Sequence, residues 1–235
     1  FDERMEDYEK KKEGALPFMA TSCCPAWVNC VHQHIPEIES AISHTGSPMH
    51  YIGNICKERY PGCETVFVGP CDAKMGEAID DPLVDYALTF HEITAIIRAH
   101  DLELDIDAIN KRGCAEKGSA EGRGFPITGG VAYSVAAFLT EEQVAELKPV
   151  IIDGLNPDSV KRLQGFAKKP PPGNLVEVMT CQGGCVAGPG AQVAVNVATA
   201  RVKITTKSSE VADGAHKTAI HPVIIREGQV IMPDQ

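Results

Sequence analysis

Where the apolar runs stop is the strongest constraint on the fold. Thr65-Val66-Phe67-Val68 ends at Gly69-Pro70-Cys71, and Val176-Glu177-Val178-Met179 runs through Thr180 into Cys181. Both runs are short, rich in β-branched residues and cut off by turn formers, so each predicts a buried strand with a cysteine at its exit. Helical patterns lie between such runs. Val28, Val31, Ile35, Ile38 and Ile42 fall at helical intervals from Trp27 to Ile42, where Pro36 must kink or divide the segment. Thr89 with Glu92 and Thr140 with Gln143 predict capping boxes, and Asn156-Pro157 joins an N-cap residue to proline at the first helical position. Thr128-Gly129-Gly130 opens a small-residue helix toward Leu139, while Tyr86-Ala87-Leu88 and Val150-Ile151-Ile152 predict further strands. Strands alternating with helices predict an α/β protein. Lys168 to Gly173, with Pro170, Pro171 and Pro172 in succession, predicts an exposed stiff connection. Val193–Val195, Val202–Thr205 and a hairpin from Val223 to Met232 around Glu227-Gly228 predict β-structure near the end, read as structural.

Charge and cysteine usage narrow the function. A balance of 22 Lys+Arg against 32 Asp+Glu leaves a net charge of -10, the wrong sign for a surface that neutralises phosphates, so nucleic acid is excluded as a partner. No apolar run approaches the roughly 20 residues that span a bilayer, which excludes membrane insertion of this chain. Nine cysteines, an odd number in a chain of 235 residues, do not read as a disulfide framework. A reducing compartment or a metal site fits them better, and the expected location is the cytoplasm; the start at Phe1 leaves the periplasm open. The close pairs are the adjacent Cys23-Cys24 and the Cys181/Cys185 pair, and neither makes a local zinc or ferredoxin cage. Cysteines at strand exits, with Cys23-Cys24 before Pro25, converge instead on the crevice where α/β proteins place ligands. Four thiolates there suit a cubane iron-sulfur cluster, and Gln182-Gly183-Gly184 lets backbone N–H groups approach it.

Three segments carry a family resemblance. Thr21-Ser22-Cys23-Cys24-Pro25-Ala26-Trp27, Gly69-Pro70-Cys71-Asp72-Ala73-Lys74 with Glu77, and Glu177-Val178-Met179-Thr180-Cys181-Gln182-Gly183-Gly184-Cys185 resemble, in order, the three signature motifs of iron-only (FeFe) hydrogenases. Thr128-Gly129-Gly130-Val131 and Asp85 to Ile97 are similar to further family segments, and the likeness extends from Glu3 to about Thr206. It implies a two-lobed α/β domain, with sheets flanked by helices and the cluster site in the cleft between lobes. Residues 1–235 would form a single H-cluster domain that lacks the family's N-terminal segment. Cys24, Cys71, Cys181 and Cys185 match the thiolates that hold a 4Fe-4S cubane. Cys185 matches the one that bridges to a two-iron subcluster with carbonyl, cyanide and dithiolate ligands. Cys23 matches the thiol that passes protons, Lys74 the lysine that hydrogen-bonds a cyanide, and Pro70 its neighbour at the cofactor. Glu3, Glu6 and Ser43 fall on the family's proton-relay positions. The implied activity is reversible reduction of protons to dihydrogen. Ferredoxin or another electron-transfer module would be the partner, and maturation proteins would build the two-iron unit. Without them the implied state is apo or cubane-only.

The chain also departs from the pattern. Gly69 stands where the family has methionine, which supports an alternative role as a hydrogen-sensing module of low turnover. A third reading, a hydrogenase-like cluster-assembly protein, is opposed by the paired Cys23-Cys24. The stretch from Asn156 to Val176 is short, and the third motif ends in Gly188-Pro189-Gly190 rather than a glycine run. Cys30, Cys56, Cys63 and Cys114 fall in no motif and read as small core residues. Glu3 and Glu6 also lie in a charge-rich stretch, Asp2 to Lys12, that by itself reads as a solvated helix.

Overall fold

The computed structural model describes residues 16–112, 118–216, 219–227 and 229–231, so Glu3, Glu6, Cys114 and Met232 lie outside the described residues. β1 (Met19–Ala20) leads into α1 (Pro25–His34), a 3₁₀ segment (Pro36–Ala41) and α2 (Pro48–Arg59). β2 (Val66–Gly69), α3 (Ala73–Asp80), β3 (Tyr86–Thr89) and α4 (Phe90–Ala99) follow. Next come the shorter α5 (Ile106–Arg112), α6 (Ala120–Gly124), α7 (Gly130–Ala137) and α8 (Glu141–Glu146). β4 (Pro149–Asp153), α9 (Pro157–Phe166) and β5 (Leu175–Met179) make a βαβ unit, and α10 (Val195–Ser208) precedes the hairpin of β6 (Val223–Arg226) and β7 (Gln229–Ile231).

Local chemistry sets several of these boundaries. Thr89, Thr140 and Asn156 each accept a backbone N–H from the first turn of their helices and complete reciprocal capping boxes; the spacing predicts the first two, and at Asn156, expected only as an N-cap, Ser159 closes a third. Pro36 divides the Trp27–Ile42 segment: α1 ends at His34 and a 3₁₀ segment takes over, because proline has no N–H to continue the ladder.

The described residues form two sheets. The larger has the order β1-β5-β4-β6-β7, parallel throughout except for the antiparallel edge strand β7. β4 and β5 are buried along their whole length, as strands covered on both faces must be. Val150, Ile152, Val176 and Val178 face α1 and α9, packing with Trp27, Val31, Ile35, Leu163 and Phe166 in the main core. On the opposite side α7 contributes Ala132 to a smaller cluster with Met19 and Leu175. The second sheet is the parallel pair β2–β3, in register from Val66 opposite Tyr86 to Gly69 opposite Thr89.

Three expectations are corrected. β2 is a strand but not a buried one, since Val66 is 51% and Val68 38% exposed; among the described residues it pairs with β3 alone, in a sheet of two strands. Val193–Val195 and Val202–Thr205 are not strands: Val195–Ser208 is one helix. Its β-branched residues carry only a small helix penalty, which tertiary placement against the cleft overrides. The proline-rich connection exposes Lys168, Lys169, Pro170 and Pro172 but buries Pro171. The hairpin forms as expected over Val223–Ile231, with Glu227 taking a positive φ of 49° at its turn.

Candidate metal centre

Each cysteine motif sits where an element begins or ends. Cys24 is the N-cap residue of α1, buried, with its Sγ 3.3 Å from the Thr180 hydroxyl at the exit of β5. Cys71 follows β2, and the Ala73 and Lys74 N–H groups at the start of α3 point at its sulfur. Cys181 and Cys185 flank the turn after β5, where Gly184 has a φ of 94°. A side chain at Gly184 would stand 2.6 Å from the Pro126 carbonyl oxygen, so only glycine lets the 126–128 loop close over this turn. The closure is bonded: Val186 N–H donates to Pro126 O at 3.1 Å, and Gly190 N–H to Pro70 O at 2.9 Å. The third motif is thereby tied both to the α7 entry and to the second motif.

Two buried carboxylates hold this arrangement, and neither role was evident in the sequence. Glu177, in the middle of an apolar strand, accepts the Gly129 and Ala132 N–H groups at 2.7 Å each, anchoring the first turn of α7 on β5. Asp153, at the exit of β4, accepts from the Thr128 hydroxyl and from Gly183 N–H, both at 2.7 Å. The one available signal was an acidic residue inside an apolar strand pattern, since a buried carboxylate requires donors.

The four thiols lie within electrostatic reach of one another. Burial raises Cys71; burial with the charges of Cys24 and Cys71 raises Cys181 to about 11; burial with Cys24, Cys71 and Cys181 raises Cys185 to about 12. Burial and mutual repulsion disfavour the thiolates of Cys71, Cys181 and Cys185, and a bound cation would favour them. Among the described residues no three His, Cys, Asp or Glu side chains are placed to share a single metal ion. Cysteine thiolates are the donors that iron-sulfur clusters take, so the chemistry of this donor set is compatible with such a cluster.

A cavity of about 500 Å³ opens beside the thiols between the two sheets. Cys23, Cys24, Pro70, Lys74 and Cys185 lie on its wall, and most of the remaining lining is apolar, including Met49, Phe125, Val131, Met179 and Val202. Lys74 is buried, and its Nζ donates to Glu77 Oε2 at 2.5 Å, which steers the ammonium at the cavity. Ser43 is buried beside the segment that leads to Cys23: its N–H donates to Ala20 O at 2.8 Å, and its hydroxyl accepts from Thr45 N–H. Phe67 was missed in the sequence. A side chain at Gly69 would meet its ring at 2.7 Å, so Phe67, two residues earlier on the same face of β2, already fills the volume over Gly69. Of the cysteines outside the motifs, Cys30, Cys56 and Cys63 are half-buried rather than fully in the core.

Fold and site together define a two-lobed α/β domain that gathers cysteine thiols in the cleft between its sheets. A family model described as "Iron only hydrogenase large subunit, C-terminal domain" matches residues 1–189, and the chain belongs to that family. Iron hydrogenase 1 of Clostridium pasteurianum is 27% identical over 225 residues, covering 77% of this chain and 38% of the relative. The periplasmic Fe hydrogenase large subunit of Nitratidesulfovibrio vulgaris is 27% identical over 251 residues, covering 87% and 58%. The chain thus spans less than two thirds of the curated relatives it matches. Solved structures share the fold. The apo form of a FeFe-hydrogenase HydA1 variant from Chlamydomonas reinhardtii gives a TM-score of 0.59 at 17% identity, over 87% of this chain and 70% of that one. The HydA(deltaEFG) structure, described as revealing stepwise H-cluster assembly, gives 0.58 at 16% over the same shares. Among the described residues no helix is long and apolar enough to cross a membrane.

Proposed function

We propose that this single domain carries out the reversible reduction of protons to dihydrogen at an H-cluster whose 4Fe-4S cubane is held by Cys24, Cys71, Cys181 and Cys185. The observation that carries the reading is the convergence of four thiols from three distant segments beside an apolar cavity lined by Cys23 and Lys74. When bound, the cluster supplies electron storage and the metal site at which protons are reduced. The chain's residues do the rest. Cys185, which belongs to the thiol group and also lies on the cavity wall, would hold the cubane beside the cavity that would take the two-iron unit. Lys74, steered by Glu77, would offer N–H donors to an anionic ligand of the bound cluster, and Pro70 lies on the same cavity wall. The apolar walls exclude water, and Cys23 holds and passes a proton at Sγ. Glu3, Ser43 and Glu6 form the proposed route from solvent, and the burial of Ser43 next to the Cys23 segment supports its part. Electrons come from ferredoxin or a related module, and maturation proteins install the two-iron unit.

Anaerobic infrared spectroscopy of protein coexpressed with maturation proteins is the test. Iron-bound carbonyl and cyanide stretches are expected; iron-loaded protein without them overturns the two-iron reading. Cys23→Ala is expected to keep those bands while hydrogen production falls at least about 100-fold, the ordinary contribution of a positioned acid or base. An unchanged rate removes Cys23 from proton transfer.

A further inference from the structure

The family match ends at residue 189, yet a residue beyond it reaches the third cysteine motif. β6 pairs with β4 in parallel register, with Ile225 opposite Ile152, so the next pair along the strands is Arg226 and Asp153. Arg226 donates to one oxygen of Asp153 through Nε at 2.6 Å and Nη2 at 2.5 Å. The other oxygen of Asp153 accepts from Gly183 N–H, inside the Cys181–Cys185 turn, and from Thr128, at the α7 entry that closes over it. The Asp153 side chain has no exposed surface, while that of Arg226 is 43% exposed. The turn of the hairpin makes a second contact, with Gln182 Nε2 donating to Glu227 Oε1 at 3.2 Å. The turn between β4 and α9 lies in the same layer: Gly154 N–H donates to Met179 O and Leu155 N–H to Thr180 O, next to the cysteine turn.

We propose that the β6–β7 hairpin latches the Cys181–Cys185 turn, with Arg226 as the positioning residue acting through Asp153. A carboxylate with both oxygens engaged is held in one orientation, and its Gly183 bond fixes the turn that carries two thiols. Without the guanidinium, Asp153 becomes a buried charge lacking its counter-ion and draws in water or turns away, releasing Gly183. The consequence for a metal cluster rests on the four-thiol reading above; the latch itself does not.

The experiment uses the full chain in its metal-free form, with site-resolved mass spectrometry of iodoacetamide labelling. Arg226→Met is expected to label Cys181 and Cys185 about tenfold faster than wild type, the loss that goes with one charge-assisted hydrogen bond. Cys30, on α1, is expected to label at an unchanged rate, and Arg226→Lys to recover much of the protection. Ile225→Val weakens the same strand by packing alone and is expected to leave both thiols at wild-type rates. Gln182→Ala, at an exposed contact, is expected to speed Cys181 about threefold. Wild-type rates in Arg226→Met and Gln182→Ala overturn the latch, as does equal acceleration in Ile225→Val or at Cys30. In a second arm the proteins are reconstituted with iron and sulfide, and iron release to a chelator is followed. Faster release from Arg226→Met than from wild type is expected, and equal release limits the latch to the metal-free chain and overturns its role at a cluster. Wild-type protein that takes up no iron overturns the cubane reading and leaves the labelling result standing.

Discussion

At the scale of single residues, Gly69 and Phe67 show how a departure from a family pattern is absorbed. Gly69 removes the side chain that the resemblance leads one to expect before Pro70, and the Phe67 ring occupies the space. Restoring methionine alone overpacks the wall, so Gly69→Met is expected to lower stability by about 1–3 kcal/mol in denaturant unfolding. Adding Phe67→Ala makes room. The double variant is therefore expected to be more stable than the sum of the two single changes predicts, a coupling that a double-mutant cycle measures. The cysteines were legible in the sequence because each stands beside punctuation, proline, glycine or a strand end, that fixes its place locally. Asp153, Glu177 and Arg226 were not legible as a set. Their roles depend on which strand lies beside which, and one residue's slip in the β4–β6 register would turn Arg226 away from Asp153.

At the scale of elements, helix starts were legible at Thr89, Thr140 and Asn156, where a side chain caps its own backbone, whereas the Ser119 cap of the short α6 was not read. α10 was not, because Val, Ile and Thr suit a strand unless position decides otherwise. An exposed site separates the two cases. Ile204 is 68% exposed on α10, and Ile204→Ala is expected to raise stability by about 0.5 kcal/mol in thermal unfolding, since alanine is the better helix former; in a strand the same change would destabilise. The small sheet is joined to α2 by a polar knot. Asp85 accepts from Lys57 Nζ at 2.5 Å and from the Thr65 N–H at 2.6 Å, and the Lys57 bond followed by those from Thr65 holds its carboxyl down at about 2. A carboxyl that titrates near 2 when folded and at 3.8 when unfolded contributes fully above that upper value and loses its contribution as pH falls toward 2. Wild type is therefore expected to lose stability more steeply than Asp85→Asn across that acid window, followed by circular dichroism.

At the scale of the whole molecule, the two sheets are unequal. β4 and β5 are buried end to end, whereas β2–β3 is a two-stranded parallel pair with much of Val66 and Tyr86 in solvent. Backbone bonds protected by few buried contacts open locally. The Phe67 and Leu88 amides are expected to exchange with deuterium at least about tenfold faster than those of Ile151 and Val178 in the metal-free chain. Iron loading is expected to narrow the gap, because a ligand bridging Cys71 to Cys24, Cys181 and Cys185 would fasten the small sheet to the large one. An α/β class and a cleft site were readable from alternation and strand exits; the thinness of the second sheet was not, since alternation does not count neighbours.

The parallel pairing of β6 with β4 also has a consequence in time. A ribosome delivers β4, β5 and the whole third motif before it delivers Arg226, and the sheet order places β6 on the far side of β4 from β5. For that interval of synthesis the Cys181–Cys185 turn exists without its counterpart, and its two thiols meet the cell before the strand that steadies them has been made.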